Sequence, residues 1–155
     1  MTAGEKGFSY LEIIIILAIF IALIIFGYLS VIGNLAKGRD AKRKGDLSRI
    51  GIALENYFDD NACYPEMSVL QTCGGEELRP YLNYIPCDPL TKRSYVGQAG
   101  FKDPGCNNWF KVYCFLENVD DPIIVSFGLE GGVTVGGETV NYGVSSGNVS
   151  VADII

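Results

Sequence analysis

Five cysteines and no histidine bound the reactive chemistry of this 155-residue chain. Without imidazole there is no common general base, no histidine metal ligand, and no Ser-His or Cys-His nucleophile pair. There is also no phosphate-cradling glycine loop, so the chain reads as a non-enzyme with no resident cofactor. Cys63, Cys73, Cys87, Cys106 and Cys114 suit disulfide staples of a small, loop-rich domain. The short-loop pairings Cys63–Cys73 and Cys106–Cys114, leaving Cys87 free, stand beside other connectivities and beside a reduced state. Zinc is disfavoured because no Cys-x-x-Cys occurs. Asp88, Asp103, Asp120 and Asp121, with Asp59-Asp60, are oxygen donors that a calcium ion could use, although no EF-hand spacing is present; solvated loop carboxylates are the alternative. One further carboxylate, Glu12, sits at the edge of a long apolar run.

That run dictates the first element. Ile13 to Ala36 is 24 residues without a charge, and about 20 apolar residues suffice to cross a bilayer core as a helix. A buried core helix would need covering layers that so short a chain lacks. A secretory signal peptide is the other alternative, but the run is long for one and no Ala-x-Ala-like site follows it. Instead come Lys37, Arg39, Asp40, Lys42, Arg43 and Lys44, a basic cluster of membrane-surface type. Taken alone it would place that side in the cytoplasm. The cysteines all follow the run and argue for an oxidising, extracytoplasmic head, and they decide the orientation. Glu12 either rests in the headgroup layer or needs a cationic partner, because an unpaired carboxylate in lipid costs about 2.5 kcal/mol or more.

The residues Gly4-Glu5-Lys6-Gly7-Phe8-Ser9-Tyr10-Leu11-Glu12 resemble the processing site of type IV pilins and type II secretion pseudopilins. The resemblance implies cleavage after Gly7 by a prepilin peptidase, N-methylation of the new terminal Phe8, and a Glu at the fifth mature position, here Glu12. A cut at Phe8 creates an α-amino group that is largely cationic at neutral pH. Supplied by a neighbouring subunit, it would pair with Glu12 and fix the axial register of a filament. Arg39 to Leu47, then Ala53 to Asn61 and Tyr64-Pro65, are similar to the region after the span in G-type major pseudopilins. Beyond Pro65 the resemblance thins, and Asp88-Pro89 leads into Leu90-Thr91-Lys92-Arg93 rather than a Trp-Gly-Asn-Pro-Tyr-like segment.

These signals predict an α+β chain of pilin-like layout: a leader over 1–7, a membrane and filament-core helix over 8–36, its amphipathic continuation over 37–62, and a head over 63–155. Leu47, Ile50, Leu54, Tyr57 and Phe58 form a helical stripe. Glycines at 27, 33, 38, 45 and 51 either kink this helix or admit close neighbours. Asp59-Asp60-Asn61 and Tyr64-Pro65 end it. A loop to about Lys92 precedes strands expected at Asn108–Leu116, Ile123–Leu129, Gly132–Val135 and Glu138–Val144, with a Gly136-Gly137 hairpin turn and an edge strand at Val149–Ile155. Residues 1–46 carry six Lys/Arg against four Asp/Glu, and 47–155 carry six against fourteen. The acidic head argues against nucleic-acid binding. The expected function is a structural filament subunit of a type IV pilus or secretion pseudopilus. Its partners would be a prepilin peptidase and methylase, an inner-membrane assembly platform, lipid before assembly, and copies of itself at the cell surface or in the periplasm. The competing expectation is a single-pass, membrane-anchored binding module that does not polymerise.

Overall fold

The computed structural model describes residues 9–103 and 106–153. The chain divides into two units, Met1–Ala36 and Lys37–Ile155. Helix α1, Tyr10–Asn61, begins in the first and ends in the second, unbroken through all five of its glycines. In the first unit, Tyr10–Tyr28 is a stretch of 19 residues with mean hydropathy 2.9 and no buried residue. It is long and apolar enough to cross a membrane. Every large apolar side chain on it is at least 45% exposed. A helix that is apolar on all faces has no face of its own to keep in water.

The second unit is an α+β head. The C-terminal half of α1 buries Leu47, Ile50 and Leu54 completely, at the helical spacing expected of an amphipathic stripe. Against them lies a three-stranded antiparallel sheet of order β1-β2-β5, comprising Val96–Asp103, Cys106–Cys114 and Tyr142–Ser145. Phe110, Val112 and Tyr113 of β2 share the core with that helical face. A Cβ on Gly51 would stand 3.7 Å from Val144 and 3.9 Å from Phe110, so here a glycine sits in ordinary contact with the sheet. The strands β3, Val133–Val135, and β4, Glu138–Val140, form a separate hairpin. Val135 pairs with Glu138 across Gly136 and Gly137, whose φ values of 58° and 85° are the left-handed pair that a two-residue turn requires.

Several expectations change. Ile123–Leu129 is not a strand: α2, Pro122–Phe127, is a short helix. Asp121 caps it by accepting from the Ile123 amide, Pro122 opens it, and Gly128 at φ 68° closes it. These end signals outweigh the β-branched Ile-Ile-Val, whose strand preference needs a pleated surface to pack on. The expected strand Glu138–Val144 is two, β4 and β5, separated at Asn141. Its side chain bonds both the amide and the carbonyl of Leu116, at 2.6 and 3.0 Å. The strand β1 lies in a glycine-rich run with little strand propensity, and it exists because β2 gives it a partner. At Val149–Ile155 the described residues form a turn with Val151 buried, not an edge strand.

The disulfides also differ from the short-loop scheme. They join Cys63 to Cys106 and Cys73 to Cys87, and Cys114 is free and buried. Cys106 and Cys114 are the two ends of β2, eight residues or roughly 26 Å apart along an extended strand, beyond the reach of any bridge. Cys63 meets Cys106 because the Tyr64 amide bonds the Asn107 carbonyl at 2.8 Å. Cys73 meets Cys87 where Gly74 and Gly75 pair with Ile85 at 2.9 and 2.7 Å.

Candidate functional site

Gly7 and Phe8, where processing is expected, lie outside the described residues. Glu12 lies in the first turn of α1 with its side chain exposed. It is the only ionisable acid or base from Tyr10 to Ala36 apart from the tyrosine phenols. One carboxylate therefore marks the N-terminal end of an otherwise apolar surface. A cation delivered to that end would find a single acidic group to meet.

The head contains a second charged constellation that the sequence reading missed. Arg43 is 3% exposed, and its guanidinium reaches Asp40 at 2.8 Å, Asp88 at 2.6 Å and Glu117 at 2.7 Å. Arg39 forks onto the same Glu117 at 2.7 and 2.5 Å. Asp40 in turn accepts the amides of Glu117 and Asn118 at 2.9 and 2.8 Å. Beside them Lys44 pairs with Asp121 at 2.6 Å, and Lys42 with Asp46 at 3.2 Å. Buried charges survive only when paired and hydrogen-bonded, and the planar arginine fork can satisfy several carboxylates at once. Burial opposes the charge on Arg43, yet its bonds to Asp88, Glu117 and Asp40 outweigh this and hold its pKa above the usual arginine value. For Asp88 burial again opposes charge, but Arg43 and the amides of Thr91 and Leu90 pull its pKa down to about 2. Glu117 is lowered to about 2, chiefly by its bond to Arg39. Tyr95 is raised by burial and by Asp46, whose carboxylate accepts its phenol at 3.0 Å.

This arrangement is a clamp. It ties the first turns of the head portion of α1 to the loop at Asp88, to the chain after β2 and to the start of α2. The basic cluster expected at a membrane surface is thus largely turned into the head, since Arg39, Arg43 and Lys44 have acidic partners there. The signal available in the sequence was Arg39-Asp40 with Arg43-Lys44 at helical spacing, opposite unassigned acids at 88, 117 and 121.

Two of the calcium candidates already have other partners. Asp88 is engaged by Arg43 and two amides, and Asp121 by Lys44 and the Ile123 amide. Asp120 is exposed, and Asp103 ends β1 in register with Cys106 rather than lying in a loop. Among the described residues no three His, Cys, Asp or Glu side chains converge as a metal would require. One five-residue run, Gly143-Val144-Ser145-Ser146-Gly147, does have Gly-x-Ser-x-Gly spacing. It belongs to β5 and the turn after it, Ser145 donates to the Val149 carbonyl at 2.9 Å, and the chain has no histidine to activate a serine.

Comparison with family models, with curated proteins and with solved structures finds no match to this chain. Its class therefore rests on the fold: an α+β chain with an N-terminal helix apolar enough to cross a membrane, and a head of small antiparallel sheet with two disulfides.

Proposed function

We propose that this chain is a structural filament subunit of the type IV pilin and pseudopilin kind. It is inserted in the membrane with its head outside the cytoplasm and trimmed after Gly7. It then assembles through its apolar helices and through a pair between the Phe8 amine and Glu12 of neighbouring copies. The observation that carries the reading is the Tyr10–Tyr28 surface, apolar on every side, unburied, and marked by one carboxylate in its first turn. Lipid can cover that surface in a lone subunit, and other copies of the helix can cover it in a filament. Both settings make an unpaired Glu12 costly, and the α-amino group created by cleavage offsets the cost. Two disulfides favour an oxidising compartment for the head. The clamp supports the same orientation, because it spends Arg39, Arg43 and Lys44 inside the head and leaves Lys37 and Lys42 as the more exposed cations of that cluster.

Mass spectrometry of the protein purified from its native membrane tests the reading first. A mature N-terminus at methylated Phe8 is expected, and an intact Met1 overturns it in favour of a tethered binding module. The Glu12→Leu substitution is expected to abolish filament assembly while leaving disulfides and thermal unfolding of the head unchanged. A variant that assembles at the wild-type level excludes the Phe8–Glu12 pair.

A further inference from the structure

One cleft of the acidic head is lined chiefly by cations. It measures about 340 Å³ and lies between α1, the loop closed by Cys73–Cys87 and the turn that follows it. Lys42, Asp46 and Arg49 line it from α1 at the i, i+4, i+7 spacing of a single helical face, and Lys92 lines it from the turn. Arg49 and Lys92 are exposed and form no ion pair among the described residues. Asp46 is buried and already accepts from Lys42 at 3.2 Å and from the Tyr95 phenol at 3.0 Å. Three cations against one acid leave the cleft positive, whereas residues 37–155 as a whole carry eleven Lys/Arg against sixteen Asp/Glu. The far wall is Tyr84, 60% exposed, with Pro86 and Pro89. A second hollow of about 190 Å³ shares Arg49, Tyr84 and Pro86 and adds Asn83. Backbone bonds fix both walls, since Gly74 and Gly75 pair with Ile85 at 2.9 and 2.7 Å and the Lys92 amide donates to the Asp88 carbonyl at 3.0 Å.

We propose that this cleft binds an acidic oligosaccharide, a short chain of sugar rings bearing carboxylates. Uncancelled cations in a concave site with apolar walls attract an anion that also has an apolar body. Lys42 and Arg49 stand seven residues apart, about 10.5 Å along the helix axis, which suits acidic groups spread along a ligand. The planar guanidinium of Arg49 can take a carboxylate with two parallel bonds. Beside it the exposed Tyr84 ring offers a flat face to the C–H side of a pyranose, and the Asn83 amide offers both donors and acceptors to hydroxyls. The two hollows meet at Tyr84 and so give consecutive rings separate seats. An extended peptide is disfavoured, because strand addition needs unpaired backbone and the amides of Gly74, Gly75 and Ile85 are already bonded within the loop. Nucleic acid is disfavoured too, since duplex DNA carries a charge about every 1.7 Å and the acidic remainder of the head repels so dense a polyanion. One carboxylate per sugar ring is a sparser charge. The site lies wholly within the second unit, so its ligand does not depend on how the chain assembles.

The probe is trigalacturonate with a fluorophore at its reducing end, titrated at low salt with the full-length chain in micelles of an uncharged, sugar-free detergent and read by anisotropy. Retention of both disulfides in a non-reducing peptide map and an unchanged melting temperature select the folded variants. The wild-type chain is expected to bind, with Arg49→Gln and Lys92→Gln each weakening the affinity about tenfold. Tyr84→Ala should weaken it at least about threefold. Lys37→Gln removes the same charge from another face of α1, outside the cleft, and should stay within about twofold of wild type. Failure of the wild-type chain to bind overturns the proposal. Binding that Arg49→Gln and Lys92→Gln leave unchanged places the ligand elsewhere and overturns it as well. Unlabelled competitors separate the ligand classes: trigalacturonate should displace the probe, and maltotriose, triglutamate and inorganic phosphate should not at the same concentration. Displacement by maltotriose shows that the cations do not select the ligand, and displacement by phosphate reduces the cleft to a simple anion site. Triglutamate that competes as well as trigalacturonate assigns the cleft to an acidic polypeptide, a second copy included. Each of these three results overturns the proposal.

Discussion

Arg43 holds three carboxylates from three parts of the chain, so its removal leaves Asp40, Asp88 and Glu117 facing one another without their shared cation. Arg43→Met should destabilise the head by about 3–5 kcal/mol, measured as the shift in urea unfolding. Arg43→Lys should recover only part of the loss, because a single ammonium cannot reproduce the fork. The same residues set the pH response. Asp88 and Glu117 have folded pKa values of about 2, below their ordinary 3.8 and 4.5. A depressed folded value gives stability that is fully present above the ordinary pKa and is lost as pH falls toward the folded one. The urea midpoint should therefore hold from neutrality to about pH 5 and fall between about pH 4.5 and 2. An equal fall in the Arg43→Met variant would show that other groups cause it. Burial raises the Cys114 thiol to about 12. Iodoacetamide should leave it unlabelled in the native protein and label it after unfolding.

The elements hold together through a few specific contacts. β1 carries Gly100, and a Cβ there would stand 2.3 Å from the Trp109 ring on the neighbouring strand. Gly100→Ala should displace that indole and weaken the β1–β2 pairing by about 1–3 kcal/mol, seen as a changed tryptophan near-ultraviolet dichroism and a lower melting temperature. The disulfides act on different loops. Cys63–Cys106 spans 43 residues and Cys73–Cys87 spans 14. By chain entropy the paired Cys→Ser replacements should cost about 4 and about 3 kcal/mol respectively, the longer loop losing more, as denaturant titration of each double variant would show. α2 shows how short elements are decided. Its hydrophobic run reads as a strand, but the Asp-Pro start and the Gly stop cap it as a helix.

At the scale of the molecule, charge and hydrophobicity are divided between the two units. The first offers an apolar helix with one carboxylate, and the second an acidic, disulfide-bonded head in which Arg39, Arg43 and Lys44 of α1 are paired with acids. This division fits a subunit that is membrane-held when alone and polymeric when assembled. It also separates the effects of substitutions. Glu12→Leu should change assembly without changing head stability, whereas Arg43→Met should lower head stability first and assembly only in consequence. Urea unfolding and filament yield, measured on the same preparations, distinguish the two. A shared loss in both variants would contradict the division.

The amino-acid sequence by itself determined the elements whose signals are local. The apolar run, the amphipathic stripe at Leu47, Ile50 and Leu54, the end of α1 at Asn61 and the Gly136-Gly137 hairpin each follow from periodicity or from backbone freedom at a few adjacent residues. Tertiary structure decided what depends on partners distant in the chain. Cysteine pairing required knowing that Tyr64 bonds Asn107, and β1 required the surface of β2 to form on. The clamp required Asp88, Glu117 and Asp121 to be carried to α1, 45 to 78 residues from their basic partners. Local spacing encodes dihedral preference and burial, whereas these contacts exist only after the core has brought separated segments together.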